Sequence, residues 1–495
     1  MTNISRRLLI GAAMLAPMAA HAQTGPNTGK RPNLLFFFPD QFRFDWIHNP
    51  KIPVHTPNLD SMAARGMRFD KAYSASPICA PARSCLAAGR DYDACNVPTN
   101  FVNYPLDQDT YYHRLQAAGY YVGACGKLDL NKAVLDQGID GRKDMAAWGF
   151  DDMVNCGGKG DAVRNWEKTK KPHEPYMAFL AGLGLADAYA ADINSRGGGA
   201  AGVQDYAKTY PSPLPDDAYE DNWIGRTGLD LLHRFPAGKP WHLMVNFAGP
   251  HDPEDITARM KETVKDRVFP QPIDSTQLTP ETHNKIRQNY TAMVENVDRW
   301  VGLYVDELKR RGELENTIFV FSSDHGEMLG DLNRWAKSVP YEASVCVPLI
   351  IAGPGIKPRQ DSALVSVPDV AATFLDYAQA EPTTGMTARS LRAFLEGRTH
   401  VHRDHVTSGL YNWRLVSDGR YKLIRGFDPK RTSPGGSLPN GATGPLILYD
   451  LKSDPREETD IADSMPGVVA RLAQWMPQPN PSPDYGVPAI LGQRG

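Results

Sequence analysis

Asn33-Leu34-Leu35-Phe36-Phe37-Phe38, followed at once by Pro39-Asp40-Gln41, is the stretch from which the fold of this chain is read. An apolar run with no polar alternation predicts a strand buried on both faces, as in a sheet covered on both sides. Similar runs recur at Tyr120–Cys125, Trp241–Ala248, Thr317–Ser322 and Pro348–Ile351, with helical stretches between them at Tyr111–Ala118, Asn284–Arg311 and Asp369–Ala378. Strands alternating with helices predict an α/β fold, a large, mixed, mostly parallel sheet sandwiched by helices. Asp40 falls just past the first strand, where open α/β sheets place their active sites.

Outward from that core the pattern changes twice. From about Arg403 the chain reads as a small α+β unit on an antiparallel sheet. Arg414–Ser417, the Asp418-Gly419 turn and Tyr421–Ile424 form a hairpin; a loop (Ser433–Pro445), the strand Leu446–Tyr449 and a helix near Gly467–Met476 follow. The expected domains are therefore residues 31–400 and 401–495. At the other end, Arg6-Arg7 precede an apolar run from Leu8 to Ala20, and Ala20-His21-Ala22 offers a cleavage site. Residues 1–22 thus read as an export signal of the twin-arginine kind, for a periplasmic or secreted protein. The apolar run is too short to span a bilayer, so no membrane span is expected in the mature protein.

Composition narrows the function. Of 495 residues, 41% are hydrophobic and 22% charged, with 54 basic against 57 acidic side chains and a formal charge of −3. The lack of a basic run argues against nucleic acid or a membrane surface as partner. The six cysteines (79, 85, 95, 125, 156 and 346) lack the spacing of a disulfide framework or zinc knuckle, and their pairing is left open, with room for one or two disulfides.

Cys79-Ala80-Pro81-Ala82-Arg83 carries the chemistry. Pro81 suits the first position of a helix, which sets Cys79 at the helix mouth and Arg83 one turn inside, a site prepared for an anion. Asp40 and the Asp324-His325 pair stand at strand ends and suit a divalent metal. Gly126-Lys127-Leu128-Asp129 and Pro250-His251-Asp252-Pro253 follow two further strands, and Lys337 lies downstream. Together these groups supply cations and donors for a tetrahedral oxyanion.

In this order, Arg31-Pro32-Asn33, Cys79-Ala80-Pro81-Ala82-Arg83, Gly126-Lys127, Pro250-His251, Ser323 to Gly330, Val347 to Ile351, Asp369 with Thr373, and Leu448-Tyr449-Asp450-Leu451 with Asp454-Pro455 resemble the motifs of type I sulfatases. These are the formylglycine-dependent members of the alkaline phosphatase superfamily. The resemblance implies an alkaline phosphatase-like sheet and conversion of Cys79 to formylglycine by an installing enzyme. It implies a metal, calcium by custom, on Asp40, Asp324, His325 and residue 79, with Gln41 counted in the same set. The formylglycine hydrate would attack sulfur, with Asp324 taking its proton. Arg83, Lys127 and Lys337 would hold the sulfate, and His251 or Lys337 would protonate the leaving oxygen.

Three departures qualify the pattern. Ala82 replaces a frequent serine. Gln41 stands where many sulfatases carry a second aspartate, and His325 where asparagine is frequent; both shift the donor set toward manganese and toward phosphonate monoester hydrolases and choline sulfatases. Asp129 takes the place of a histidine that helps deprotonate the hemiacetal. The leading expectation is a sulfatase acting on a sulfated glycan or other sulfated small molecule. Phosphodiester or phosphonate monoester hydrolysis, choline or aryl sulfate hydrolysis, and a binding protein without catalysis remain as alternatives. Tyr219, Asn222, Trp223, Arg226 and Tyr411-Asn412-Trp413-Arg414 are candidates either for sugar contacts or for packing.

Overall fold

Alternate residues of the Asn33–Phe38 run enter two different cores. Leu34, Phe36 and Phe38 belong to one hydrophobic cluster and Leu35 and Phe37 to another, and all five are fully buried. A strand with a core on each face has no solvent side to encode, which is why its sequence lacks a polar period. The computed structural model describes residues 30–197, 202–431, 436–439 and 442–478. The export signal expected at 1–22 lies outside the described residues, as do parts of the loops around 199 and 433.

The large sheet has eight strands: β1 Asn33–Phe37, β2 Gly66–Tyr73, β3 Tyr121–Gly126, β4 Asp152–Asn155, β5 Trp241–Asn246, β6 Thr317–Phe321, β7 Cys346–Ala352 and β8 Arg359–Ser366. Their order is β4-β3-β5-β1-β6-β7-β2-β8. β1 lies between β5 and β6 and is parallel to both, with Leu35 opposite Leu243 on one side and Phe319 on the other. β3 and β4 extend the parallel half, whereas β7 runs antiparallel to β6 and β2. The sheet is thus mixed and mostly parallel, as expected. Because β1, β3, β5 and β6 point the same way, Asp40, Lys127, Asn246 and Asp324 all emerge at one edge.

β2 and β8 are among the strands that escaped the sequence reading, and for a physical reason. Both mix charged and apolar residues, and β8 buries its side chains only at its carboxyl end. Such strands lack the continuous apolar run that marks the centre of the sheet.

The helix after β2 starts earlier than Pro81 alone predicts. It spans Cys79–Ala88, with extended Ile78 as its cap, so Cys79 is the first helical residue and Pro81 the third. Proline is tolerated there because the first four N–H groups of a helix have no partner within it. Gly89 ends the helix at φ +64°, a left-handed turn that suits glycine. Every residue of this helix is buried, so its run of small side chains serves close packing.

The second sheet, β9 Val406–Leu410, β10 Trp413–Ser417, β11 Tyr421–Arg425 and β12 Ile447–Asp450, is antiparallel in the order β12-β11-β10-β9. Leu410, Trp413, Leu415 and Ile424 share the core that contains Phe36. Among the described residues the chain from Arg31 onward groups as one compact unit, and the change from the first sheet to the second falls near residue 400. All six cysteines are free and buried. No helix among the described residues is long and apolar enough to cross a membrane.

Asp369 ties the end of β8 to the segment that leads into the second sheet. Its carboxylate accepts from Arg403 Nε at 2.7 Å, His402 Nε2 at 2.9 Å and the backbone N–H groups of Ser366 (3.0 Å) and Arg389 (2.8 Å). Burial opposes its charge, but these donors hold its pKa at about 2, below the usual carboxylate value. A lowered folded pKa contributes stability above the unfolded value near 3.8 that is lost as pH falls toward 2. Asp369→Ala is expected to cost about 3 kcal/mol at neutral pH by leaving Arg403 unpaired, measured by denaturant unfolding. The gap between wild type and variant should narrow between pH 4 and pH 2, by about 2 kcal/mol; a gap independent of pH would contradict this role.

Candidate active site

Asp40, Cys79, Asp324 and His325 meet beyond the ends of β1 and β6 and at the mouth of the Cys79–Ala88 helix. One donor atom from each lies within 4.8 Å of the others, and all four residues are buried. Cys79 Sγ is 3.4 Å from His325 Nε2 and 3.8 Å from Asp40 Oδ1. His325 Nδ1 lies 3.1 Å from the Gly326 carbonyl, a contact it makes as donor, which leaves Nε2 free to face the cluster. Ser323 Oγ stitches the two strand ends together, donating to the Pro39 carbonyl at 2.9 Å and accepting from Phe42 N–H at 2.9 Å. Two carboxylates, an imidazole nitrogen and residue 79 at this spacing fit a divalent cation.

Arg83 backs this cluster. Its Nε donates to Asp324 Oδ2 at 2.9 Å and Nη2 to Asp40 Oδ2 at 3.3 Å, while Nη1 reaches the Lys127 carbonyl (2.6 Å) and Asn246 Oδ1 (3.0 Å). Lys127 Nζ pairs with Asp40 Oδ2 and, at 3.0 Å, with Asp129 Oδ2. Burial pushes the Asp40 pKa up, but Lys127, His251, Lys337 and His325 hold it well below the carboxylate range. Asp324 is raised by burial and by the neighbouring Asp40 charge, against the pull of Arg83. Burial and Asp40 also work against a Cys79 thiolate, yet Lys127, Lys337 and His325 lower the thiol well below its ordinary value.

A cavity of about 340 Å³ opens over this centre, lined by Cys79, Lys127, His251 and Lys337 among others. His251 Nε2 and Lys337 Nζ share a hydrogen bond, and His251 Nδ1 lies 2.6 Å from the Asp252 carbonyl. Nδ1 is then the protonated nitrogen, and Nε2 accepts from the lysine. The remaining expected residues sit elsewhere. Arg83 was expected on the sulfate, but it is 1% exposed, does not line the cavity, and spends its guanidinium on Asp40, Asp324 and backbone. Asp129 meets the centre only through Lys127, and its carboxylate is shared with Lys132 at 2.9 Å.

Gln41, expected among the metal ligands, has its amide engaged elsewhere. Its Oε1 accepts from Lys337 Nζ, and its Nε2 donates to Asp252 Oδ1 at 3.1 Å and to Glu327 Oε2. Only its backbone N–H serves the cluster, donating to Asp324 Oδ1 at 3.0 Å. Glu327 Oε1 in turn accepts from the N–H groups of Leu329 and Ala336, both at 2.8 Å. Glu327 and Gln41 therefore hold the loop that carries Lys337 at both its backbone and its ammonium.

Glu327 and Asn246 were missed as functional residues. The available signal was a polar residue in an apolar strand for Asn246, and a carboxylate beside the Asp-His pair for Glu327. Five of the eight candidate sugar contacts resolve as packing and scaffold. Tyr219, Trp223, Trp413 and Arg414 are buried and line no part of this cavity; Asn222 Oδ1 accepts from Trp300 Nε1 at 2.8 Å, and Arg414 pairs with Asp93.

Acidic and imidazole donors around residue 79, below a cavity lined by lysines at the carboxyl edge of an α/β sheet, are an arrangement suited to a metal-assisted ester hydrolase. The Sulfatase family model matches residues 32–380, and the chain belongs to this family of sulfuric ester hydrolases in the alkaline phosphatase superfamily. A choline-sulfatase of Rhizobium meliloti (strain 1021) is 28% identical over 477 residues, covering 89% of this chain and 84% of that one. A solved structure in complex with its substrate D-glucosamine-2-N,6-O-disulfate superposes with a TM-score of 0.67 at 20% identity, covering 90% of this chain and 97% of that one. The phosphonate monoester hydrolase of Agrobacterium radiobacter gives a TM-score of 0.71 at 22% identity, covering 90% and 94%.

Two outcomes check this geometry. Calcium or manganese at a hundredfold excess over its dissociation constant should stabilise the wild type by about 2.7 kcal/mol, read as a rise in Tm. Asp324→Asn should abolish that rise; an unchanged rise would place the ion elsewhere. Glu327→Gln turns an acceptor toward Gln41 into a donor and should lower kcat about tenfold to a hundredfold through misplacement of Lys337. An unaltered kcat would remove Glu327 from the support of the site.

Proposed function

We propose that this protein is a formylglycine-dependent sulfatase that hydrolyses an O-sulfate ester of a carbohydrate by S–O cleavage. The observation that carries this reading is the position of Cys79. It is the first residue of a buried helix, its Sγ joins the four-donor cluster, and it lines the cavity. As formylglycine, residue 79 supplies a hydrated aldehyde, an oxygen nucleophile that a thiol cannot replace because only the aldehyde can later expel the sulfate. The divalent ion, calcium or in its place manganese, would be held by Asp40, Asp324, His325 and residue 79, and supplies Lewis-acid polarisation of a sulfate oxygen.

The chain's own residues do the rest. Lys127 and Lys337 present ammonium groups to the cavity and bind the sulfate oxygens, stabilising the charge that grows in the transition state. Lys337 and His251 share a proton between Nζ and Nε2 and deliver it to the departing alcohol oxygen. Arg83 acts one layer behind, bridging the two carboxylates. Asp129, between Lys127 and Lys132, fixes the Lys127 ammonium.

Cys79, Pro81 and Arg83 are the residues an installing enzyme would read. Export by the twin-arginine route after modification fits an enzyme that works on material outside the cytoplasm. The glycan reading is supported by the sugar disulfate bound in the structural neighbour. A phosphonate monoester or phosphodiester substrate is the second reading, favoured by the neutral Gln41 amide and the His325 ligand.

Mass spectrometry of the peptide containing residue 79, combined with turnover of sulfate, phosphonate and phosphodiester substrates with one leaving group, tests the proposal. Formylglycine and preferential sulfate ester hydrolysis are expected. Preference for the phosphonate would favour the second reading. Cys79→Ala should lower kcat on the order of 10⁴-fold or more with the Tm retained. Wild-type turnover by that variant would sink the mechanism.

A further inference from the structure

A ladder of alternating charges climbs the cavity wall from the floor to the rim. Lys127 Nζ is 3.0 Å from Asp129 Oδ2, which is 2.9 Å from Lys132 Nζ. Lys132 Nζ is 2.6 Å from Asp161 Oδ2, and Asp161 Oδ1 is 2.9 Å from Arg164 Nη2. Lys127, Lys132, Asp161 and Arg164 all line the cavity. Side-chain exposure rises along the ladder, from 5% at Lys127 through 12% at Lys132 to 51% at Arg164.

The ladder begins and ends on a cation. Each of its two carboxylates is shared between two cations, and although Lys127 is also paired with Asp40, the cavity lining keeps a positive surplus, with Lys127, Lys132, Lys159, Arg164 and Lys337 against Asp161 and Asp252. At the rim, Arg164 gives one N–H to Asp161, which Lys132 also holds, and the rest of its planar fork is available to an incoming anion. Asp161 and Arg164 both belong to the helix Lys159–Thr169, so the helix fixes their relation. Gly158 precedes that helix at φ +70°, and a Cβ there would come within 2.7 Å of Lys127 Cδ. The lack of that atom lets the helix start press against the lysine stem and join rim to floor.

A single sulfate on Lys127 and Lys337 leaves Arg164 unused. We propose that the Lys132–Asp161–Arg164 end of the ladder is a subsite for a second anionic group, so that the preferred substrate is a sulfated sugar bearing a further sulfate or carboxylate. This rests on the reading above that the cavity binds a sulfate ester. The same surplus disfavours choline sulfate, whose quaternary ammonium calls for an aromatic cage and is repelled by a rim guanidinium.

The test uses the formylglycine-containing wild type with 4-nitrophenyl sulfate as reporter, and measures inhibition by matched competitors. N-acetylglucosamine 6-sulfate against N-sulfoglucosamine 6-sulfate tests a second sulfate; glucose 2-sulfate against glucuronate 2-sulfate tests a carboxylate. In at least one pair the dianionic sugar should bind more tightly, by about fivefold to tenfold at low salt, and the advantage should shrink as salt is added. Arg164→Ala should collapse that ratio toward one, Arg164→Lys should retain part of it, and choline sulfate should be the weakest competitor. Reporter turnover with equal inhibition within both pairs, or ratios unchanged in Arg164→Ala, would overturn the subsite and leave the sulfatase reading standing. No reporter or sugar sulfate turnover by protein verified to carry formylglycine would overturn the sulfatase reading and the subsite with it.

Discussion

The burial of Asp40 and Asp324 side by side is the constraint on which the rest of this structure depends. Both carboxylates are fully excluded from solvent. Two like charges in such a place are tenable only when cations and donors surround them, because each buried ion forfeits several kcal/mol of hydration. Arg83 supplies the shared counter-charge, Lys127 a second one for Asp40, and a divalent ion would complete the balance. The parallel pairing of β1 with β6 creates this problem by bringing both strand ends to one edge. The Cys79–Ala88 helix answers it, since the turn that sets Cys79 at the helix mouth also sets Arg83 behind the carboxylates.

The same logic accounts for the neutral side chain at position 41. Gln41 faces Asp252 and Glu327 on one end of its amide and Lys337 on the other. A carboxylate there would add a third negative charge to that group, whereas an amide donates to the acids and accepts from the lysine. What looked like a missing metal ligand is the link between the carboxylates and the Lys337–His251 pair. The positions of Lys337 and His251 are thereby coupled to the strand end that carries Asp40.

Much of the fold was legible because the centre of the sheet is written in apolar runs. Asn33–Phe38, Trp241–Ala248 and Thr317–Ser322 have no polar period, and they pair as the central strands. β2 and β8 were missed because their burial depends on neighbours far along the chain. Residue identities at the site were legible from motifs, but their partners were not. The sequence does not tell that Arg83 points at carboxylates and away from the cavity, or that Glu327 braces a loop through two backbone N–H groups. Trp223 and Trp413 illustrate the converse: an aromatic residue reads equally well as a sugar platform or as core, and only the closing of the fold around it makes it core.

The central claim is that residue 79, as an aldehyde hydrate, attacks sulfur and not carbon. Hydrolysis of a sulfate ester in water enriched in the heavy oxygen isotope tests it most directly. The account predicts that the solvent label appears in the released inorganic sulfate and is absent from the alcohol. Label in the alcohol would show C–O cleavage and contradict it.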